Sequence, residues 1–198
     1  METYKLEKPV WSESDFEVMG WHDATIHGLA FGPGEFELSL DIDYIFKWVH
    51  PAEGEGYFSF WVAPCTLVVQ NVYDLHLDAE LDNISLVEIA DVYRTDPRKP
   101  SNADFIGRDT DWQWTIDCHD GKISFRSVGF KRYVRRSPVL TKSQTLDLSE
   151  RGGFSFERRY GTEIRLNGVD KRWIRTADGE WIIESLAKSD KKPWWKFW

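Results

Sequence analysis

The densest grouping of side chains able to do chemistry is Trp21-His22-Asp23-Ala24-Thr25-Ile26-His27, followed along the chain by Asp41 and Asp43. Imidazole and carboxylate together suit zinc, manganese or iron, so His22, Asp23, His27 and Asp41 make a ligand set for a metal-dependent hydrolase. The spacing works against it: His22 and His27 lie five positions apart, on opposite faces of a straight strand, and shared ligation needs a bend. The commoner use of such residues is structural, with His22 and Asp23 closing a turn and His27 hydrogen-bonding across a sheet.

A second grouping is basic. In Phe130-Lys131-Arg132-Tyr133-Val134-Arg135-Arg136 the cations interleave with aromatic and aliphatic residues. Arg132, Arg135 and Arg136 can fork onto a carboxylate or phosphate, and Tyr133 can stack on a base or sugar, so the segment reads as an anion-binding strand. An exposed edge strand protected by charge carries the same pattern. A third grouping is aromatic: eleven tryptophans suggest a carbohydrate-binding module, although Trp61, Trp112 and Trp114 fall in apolar patterns typical of a core. Trp194, Trp195 and Trp198 follow a polar break and close the chain as a tail over 189–198. Five residues from Trp194 onward are too few for an interfacial helix, so the tail reads as docking onto this domain, a second copy or a partner.

The chain has no G-x-S-x-G elbow, no phosphate-binding G-x-x-x-x-G-K-[ST], no H-E-x-x-H and no G-x-G-x-x-G between strand and helix, so no catalytic residue is assigned. Cys65 and Cys118 have no C-x-x-C spacing and read as two reduced, buried thiols. The net charge of −8 is split: residues 1–120 hold 24 acidic against 7 basic residues, a net −17, and residues 121–198 hold 9 against 18, a net +9. Either the halves interleave and neutralise each other, or an acidic face meets a basic protein. The acidic balance argues against nucleic acid. No stretch approaches a membrane-spanning length and no basic segment precedes an apolar run at the start, so the expectation is a cytoplasmic chain without stable membrane insertion.

These groups must be positioned by strands. Phe36, Leu38, Leu40, Ile42, Tyr44 and Phe46 alternate with Glu37, Ser39, Asp41 and Asp43, which predicts a long strand with one face in water. Residues 24–31 are its hairpin partner across Gly32-Pro33-Gly34. Tyr57–Val62 and Cys65–Leu77 read as two strands broken at Pro64, which lacks a ladder donor. Asp120-Gly121 is a preferred two-residue hairpin loop. It pairs Cys118 with Ile123 and Ile116 with Phe125, and puts Trp112, Trp114, Ile116, Cys118, Ile123 and Phe125 on one face. Strands continue over 130–134, 154–160, 163–167 and 173–183. Ser12 with Asp15, or Ser14 with Glu17, caps one short helix; 84–93 is open between strand and helix, 95–110 reads as a long loop and 138–150 as a polar connection. The fold class predicted is mainly β, an antiparallel sandwich or open barrel with one or two short helices, in a single domain over 1–188.

The order Trp21-His22-Asp23-Ala24-x-Ile26-His27, then Leu38-x-Leu40-x-Ile42-x-Tyr44, then Ala63-Pro64-Cys65-Thr66-Leu67 resembles small bacterial β-rich proteins of unknown function, some of them grouped with immunity proteins of toxin–antitoxin-like competition systems. The resemblance spans roughly the first half of the chain, and its motifs are buried strand residues that bring no catalytic residues with them. It implies a bacterial protein that binds another protein, and the −17 segment suits a basic toxin such as a nuclease. That reading requires no cofactor.

Overall fold

The computed structural model describes residues 3–32, 36–79 and 87–158 and, beyond them, the backbone of three further strands. In chain order the elements are β1 (Val10–Ser12), a 3-10 helix (Glu13–Val18), β2 (Thr25–Gly32), β3 (Glu37–Val49), β4 (Ser59–Gln70), β5 (Tyr73–Ala79) and β6 (Val87–Arg98). There follow α1 (Ala103–Ile106), β7 (Asp111–Cys118), β8 (Gly121–Ser127), β9 (Gly129–Val134), β10 (Val139–Thr141) and α2 (Leu148–Arg151), then β11 (Ile164–Leu166), β12 (Val169–Arg175) and β13 (Trp181–Ser185). The expected mainly β, antiparallel fold with short helices is what forms. Ten strands make one large open sheet in the order β1-β9-β4-β3-β2-β6-β7-β8-β5, with β10 as an additional partner of β4. β11, β12 and β13 form a separate antiparallel sheet.

The large sheet closes over its own apolar face. β7 and β9 are five strand steps apart in that order, about 24 Å in a flat sheet, yet the rings of Trp114 on β7 and Phe130 on β9 lie 5.7 Å apart. The fold-over occurs between β2 and β6, which share two residue pairs, Thr25 with Glu88 and Ile26 with Val87. Leu38, Leu40, Ile42 and Tyr44 of β3 meet Trp114, Ile116, Ile123 and Phe125 of β7 and β8 in one core.

Several local expectations shift. Gly121 pairs with Cys118, so His119 and Asp120 are the loop residues of the β7–β8 hairpin, one position before the expected turn. This register sets Asp117 opposite Lys122 and Trp114 opposite Phe125, replacing charge against hydroxyl by charge against charge. The change in pairing is a two-residue slip, which preserves every side-chain face; Cys118 is buried and His119 exposed, as the pattern requires. Pro64 does not break β4. Its carbonyl accepts from Arg135 N at 2.9 Å, so its nitrogen points to the same edge, where β4 passes from pairing with β10 (up to Val62) to pairing with β9 (from Cys65). A missing donor leaves no ladder bond open there. The segment 84–93 resolves, from Val87 onward, as strand β6, which runs on to Arg98 and shortens the expected 95–110 loop, where α1 also forms. The N-terminal helix is 3-10, with Asp15 Oδ2 accepting the Ser12 N–H at 2.9 Å. The aromatic tail, with Trp194, Trp195 and Trp198, lies outside the described residues.

Candidate functional site

β3 is buried on both faces, which corrects the expectation of a wet one. Asp41 and Asp43 are 0% exposed. The segment 143–157, read from sequence in part as a polar connection, crosses them and is held by charge-assisted hydrogen bonds. Arg151, at the end of α2, donates Nη2 and Nη1 to the two oxygens of Asp41 at 2.7 and 3.0 Å and Nε to Asp43 at 3.2 Å. Arg135, the residue after β9, adds Nη2 to Asp41 at 2.5 Å and Nη1 to Thr66 Oγ1 at 3.0 Å. Asp43 also accepts from His27 Nε2 (3.0 Å), Thr145 Oγ1 (2.8 Å) and Leu146 N (2.9 Å). Burial pushes both carboxyls up, but these hydrogen bonds, from Arg151 and Arg135 on Asp41 and from His27 and Leu146 on Asp43, outweigh it and hold both below the ordinary range. Two carboxylates against two guanidiniums balance the charge, the arrangement in which buried ions persist.

This network absorbs part of the predicted metal set. The bend that His27 needed exists: the β2–β3 register skips it between Ile26 and Gly28, so it sits in a β-bulge and turns toward Asp43. Asp41, however, faces two arginines. His22 is exposed on the turn before β2, donating Nδ1–H to the Ala90 carbonyl (3.1 Å) and stacking on Trp48 at 6.2 Å and 8°. Asp23, at φ 62°, accepts from Gln144 Nε2 at 2.5 Å. Among the described residues no three His, Cys, Asp or Glu side chains converge to hold a metal ion.

The basic cluster is not an edge strand: β9 lies between β1 and β4. Arg132, Tyr133 and Arg135 are buried, and the exposed Arg136 donates to the Glu150 carbonyl at 2.8 Å. The three arginines have separate fates, and among the described residues Arg132 is the one of the three with guanidinium nitrogens left without an acceptor. Its side chain is 0% exposed, its Nε and Nη1 have no acceptor, and its guanidinium lies 3.5 Å from the ring centre of Tyr44, 4.9 Å from Phe46 and 5.0 Å from Trp11. It lines a cavity of about 440 Å³ with Tyr4, Glu7, Trp11, Lys47 and Trp48 at one end of the core.

The outer face of the β5–β8–β7–β6 half carries a row of charge across four strands. Asp78 pairs with Lys122, Lys122 with Asp117, and Asp117 with Asp91. Three carboxylates share one lysine, and Asp91 directly faces Asp117, a like-charge pairing that destabilises an isolated sheet. In the next row His76, Ser124, Thr115 and Tyr93 follow, with Tyr93 exposed. Elsewhere the two charge halves of the chain interleave: Arg126 meets Asp111 and Asp96, Lys142 meets Glu55, and Arg158 meets Glu37.

Of the described tryptophans, Trp48 alone is exposed, while Trp21, Trp61 and Trp114 are core residues. No described helix is long and apolar enough to cross a membrane. No family model matches this chain, and neither a curated protein nor a solved structure matches it. Sequence reasoning missed Arg151 and Thr145. The available signal was the charge split, since the excess of cations after residue 120 must find the carboxylates of β3 if the halves interleave.

Proposed function

We propose that this chain is a protein-binding domain that presents an acidic sheet face to a cationic protein, with an immunity-like inhibitor as its specific form. The observation that supports this reading is the Asp78–Lys122–Asp117–Asp91 row, with Asp91 and Asp117 opposed on a solvent face. A sheet bears such a repulsion at a cost, and a partner's lysines or arginines relieve it on contact. Tyr93 in the adjoining row supplies an amphipathic anchor of the type enriched in interface hot spots. Elsewhere in the fold the buried Asp41–Arg151–Arg135 network ties segment 143–157 to β3.

The test compares the full chain with D78K/D91K/D117K, each immobilised and exposed to extract of the native source at low and high salt. A basic protein retained by the wild type at low salt and lost by the triple variant is then purified and mixed with the chain. Saturable binding and stoichiometric loss of the partner's activity support the inhibitor reading. Equal retention by both chains, or retention of acidic proteins only, overturns it.

A further inference from the structure

We propose that the cavity over Arg132 is a binding site for a small organic carboxylate with a flat apolar body, separate from the acidic sheet face. The argument begins with an unsettled charge. A buried guanidinium is ordinarily matched by a carboxylate or by carbonyl acceptors, because stripping its water without replacement is costly. Arg135 and Arg151 follow that rule, with two and three hydrogen bonds respectively to Asp41 and Asp43 or to Thr66. Arg126 follows it with Asp111 and Asp96. Arg132, equally buried, has two nitrogens with no acceptor among the described residues; the rings of Trp11, Tyr44 and Phe46 lie around it, and the Asp15 carboxylate acts on it only at longer range.

Nearby acids do not fill the gap. Asp15 is engaged by Lys8 Nζ at 2.5 Å and by Ser12 N at 2.9 Å. Glu7 lines the cavity but is exposed and forms no salt bridge with Arg132. Lys47, also on the lining, is exposed with no carboxylate at salt-bridge distance among the described residues. The cavity therefore holds two cations against one carboxylate, a surplus of one positive charge.

The walls select the rest of the ligand. Trp11, Phe46 and Trp48 present rings and Leu6, Val18 and Ile45 add aliphatic surface, alongside the polar Tyr4, Glu7, His22, Lys47 and Arg132, so the lining offers both ring surface for a flat apolar body and cations for an acid group. One surplus charge and a single fully buried cation suit a monoanion over a phosphate dianion. Arg132, 0% exposed, is the most deeply buried of the lining residues, so the acid group enters first and the apolar body stays among the rings. The cation–π contacts hold the guanidinium in place before the ligand arrives, which reduces the ordering cost of binding.

The experiment is titration of the full chain with phenylacetate, followed by tryptophan fluorescence, with 2-phenylethanol and inorganic phosphate as comparison probes. Saturable quenching by phenylacetate, at least tenfold tighter than by 2-phenylethanol or phosphate, is the expected result, and this comparison needs no variant. Arg132→Met should abolish the preference for the acid over the alcohol while leaving any weak binding of the alcohol. Equal affinity for phenylacetate and 2-phenylethanol, tighter binding of phosphate, or no saturation by any probe overturns the proposal, the last meaning that Arg132 is served by internal water only. The outcome is independent of the protein-binding test, since D78K/D91K/D117K leaves this cavity untouched.

Discussion

Replacing Arg151 by methionine removes the cation that two fully buried carboxylates share. Arg151 supplies two bonds to Asp41 and one to Asp43, and another to the Gly153 carbonyl at 3.2 Å. The methionine fills most of the volume, so the loss is electrostatic: Asp41 keeps Arg135 and Ser155 N, Asp43 keeps His27, Thr145 and Leu146 N, and one negative charge is uncompensated. Removing one partner of a buried ion pair costs about 3–5 kcal/mol, and in a chain of this size that lowers Tm by about 10 °C. The pH dependence supplies a second readout. In the wild type both carboxyls are held below their ordinary range, so their contribution is complete above the unfolded value of about 4 and is lost as pH falls through the lower folded values. In Arg151→Met the balance inverts: with desolvation no longer outweighed, a folded carboxyl rises above its unfolded value, the folded state binds more protons, and stability increases as pH falls. Urea unfolding of both proteins at pH 7 and pH 5 should therefore show a difference that narrows at the lower pH. A loss below about 1 kcal/mol, or a difference unchanged between the two pH values, refutes the assignment of this network as the clamp on segment 143–157.

Arg132→Met should be neutral or stabilising in the same urea assay, because it removes a buried charge without stranding a partner; a loss above about 2 kcal/mol would show that the ring contacts alone justify the arginine. Trp114→Ala should cost about 3–5 kcal/mol, since the ring is 2% exposed and its Nε1 donates to the Ser127 carbonyl at 3.1 Å. Burial pushes the Cys65 thiol up to about 12 and the Cys118 thiol up to about 11, so both should resist thiol labelling at pH 8 in the native protein and react at once in urea. Gly152→Ala should destabilise by roughly 1 kcal/mol or more, because the residue sits at φ 78° and a Cβ there meets the Arg136 guanidinium; circular dichroism on heating measures it.

Alternation made β3 legible, because a period of two is written directly in Leu38, Leu40, Ile42 and Tyr44, and the faces of the β7–β8 hairpin were legible for the same reason. The loop position was not, since Asp120-Gly121 and His119-Asp120 loops give the same faces and only cross-strand pairing separates them. The turn role of His22 and Asp23 and the cross-sheet bond of His27 were also readable from residue type. Arg135 was recognisable as a side chain that forks onto an anion, but the anion proved to be Asp41 of this same chain.

By itself, then, the sequence determined which residues alternate, which faces are apolar, where two cysteines are shielded and that its charges are divided along the chain. Only the tertiary structure decided what covers the polar face of β3, because an aspartate facing water and one facing an arginine more than a hundred positions away are written alike. It decided equally which of three neighbouring arginines would be left unpaired. Strand periodicity is a local property of the backbone, whereas the partner of a buried charge is set by long-range packing, and among the described residues that packing leaves Nε and Nη1 of Arg132 without an acceptor.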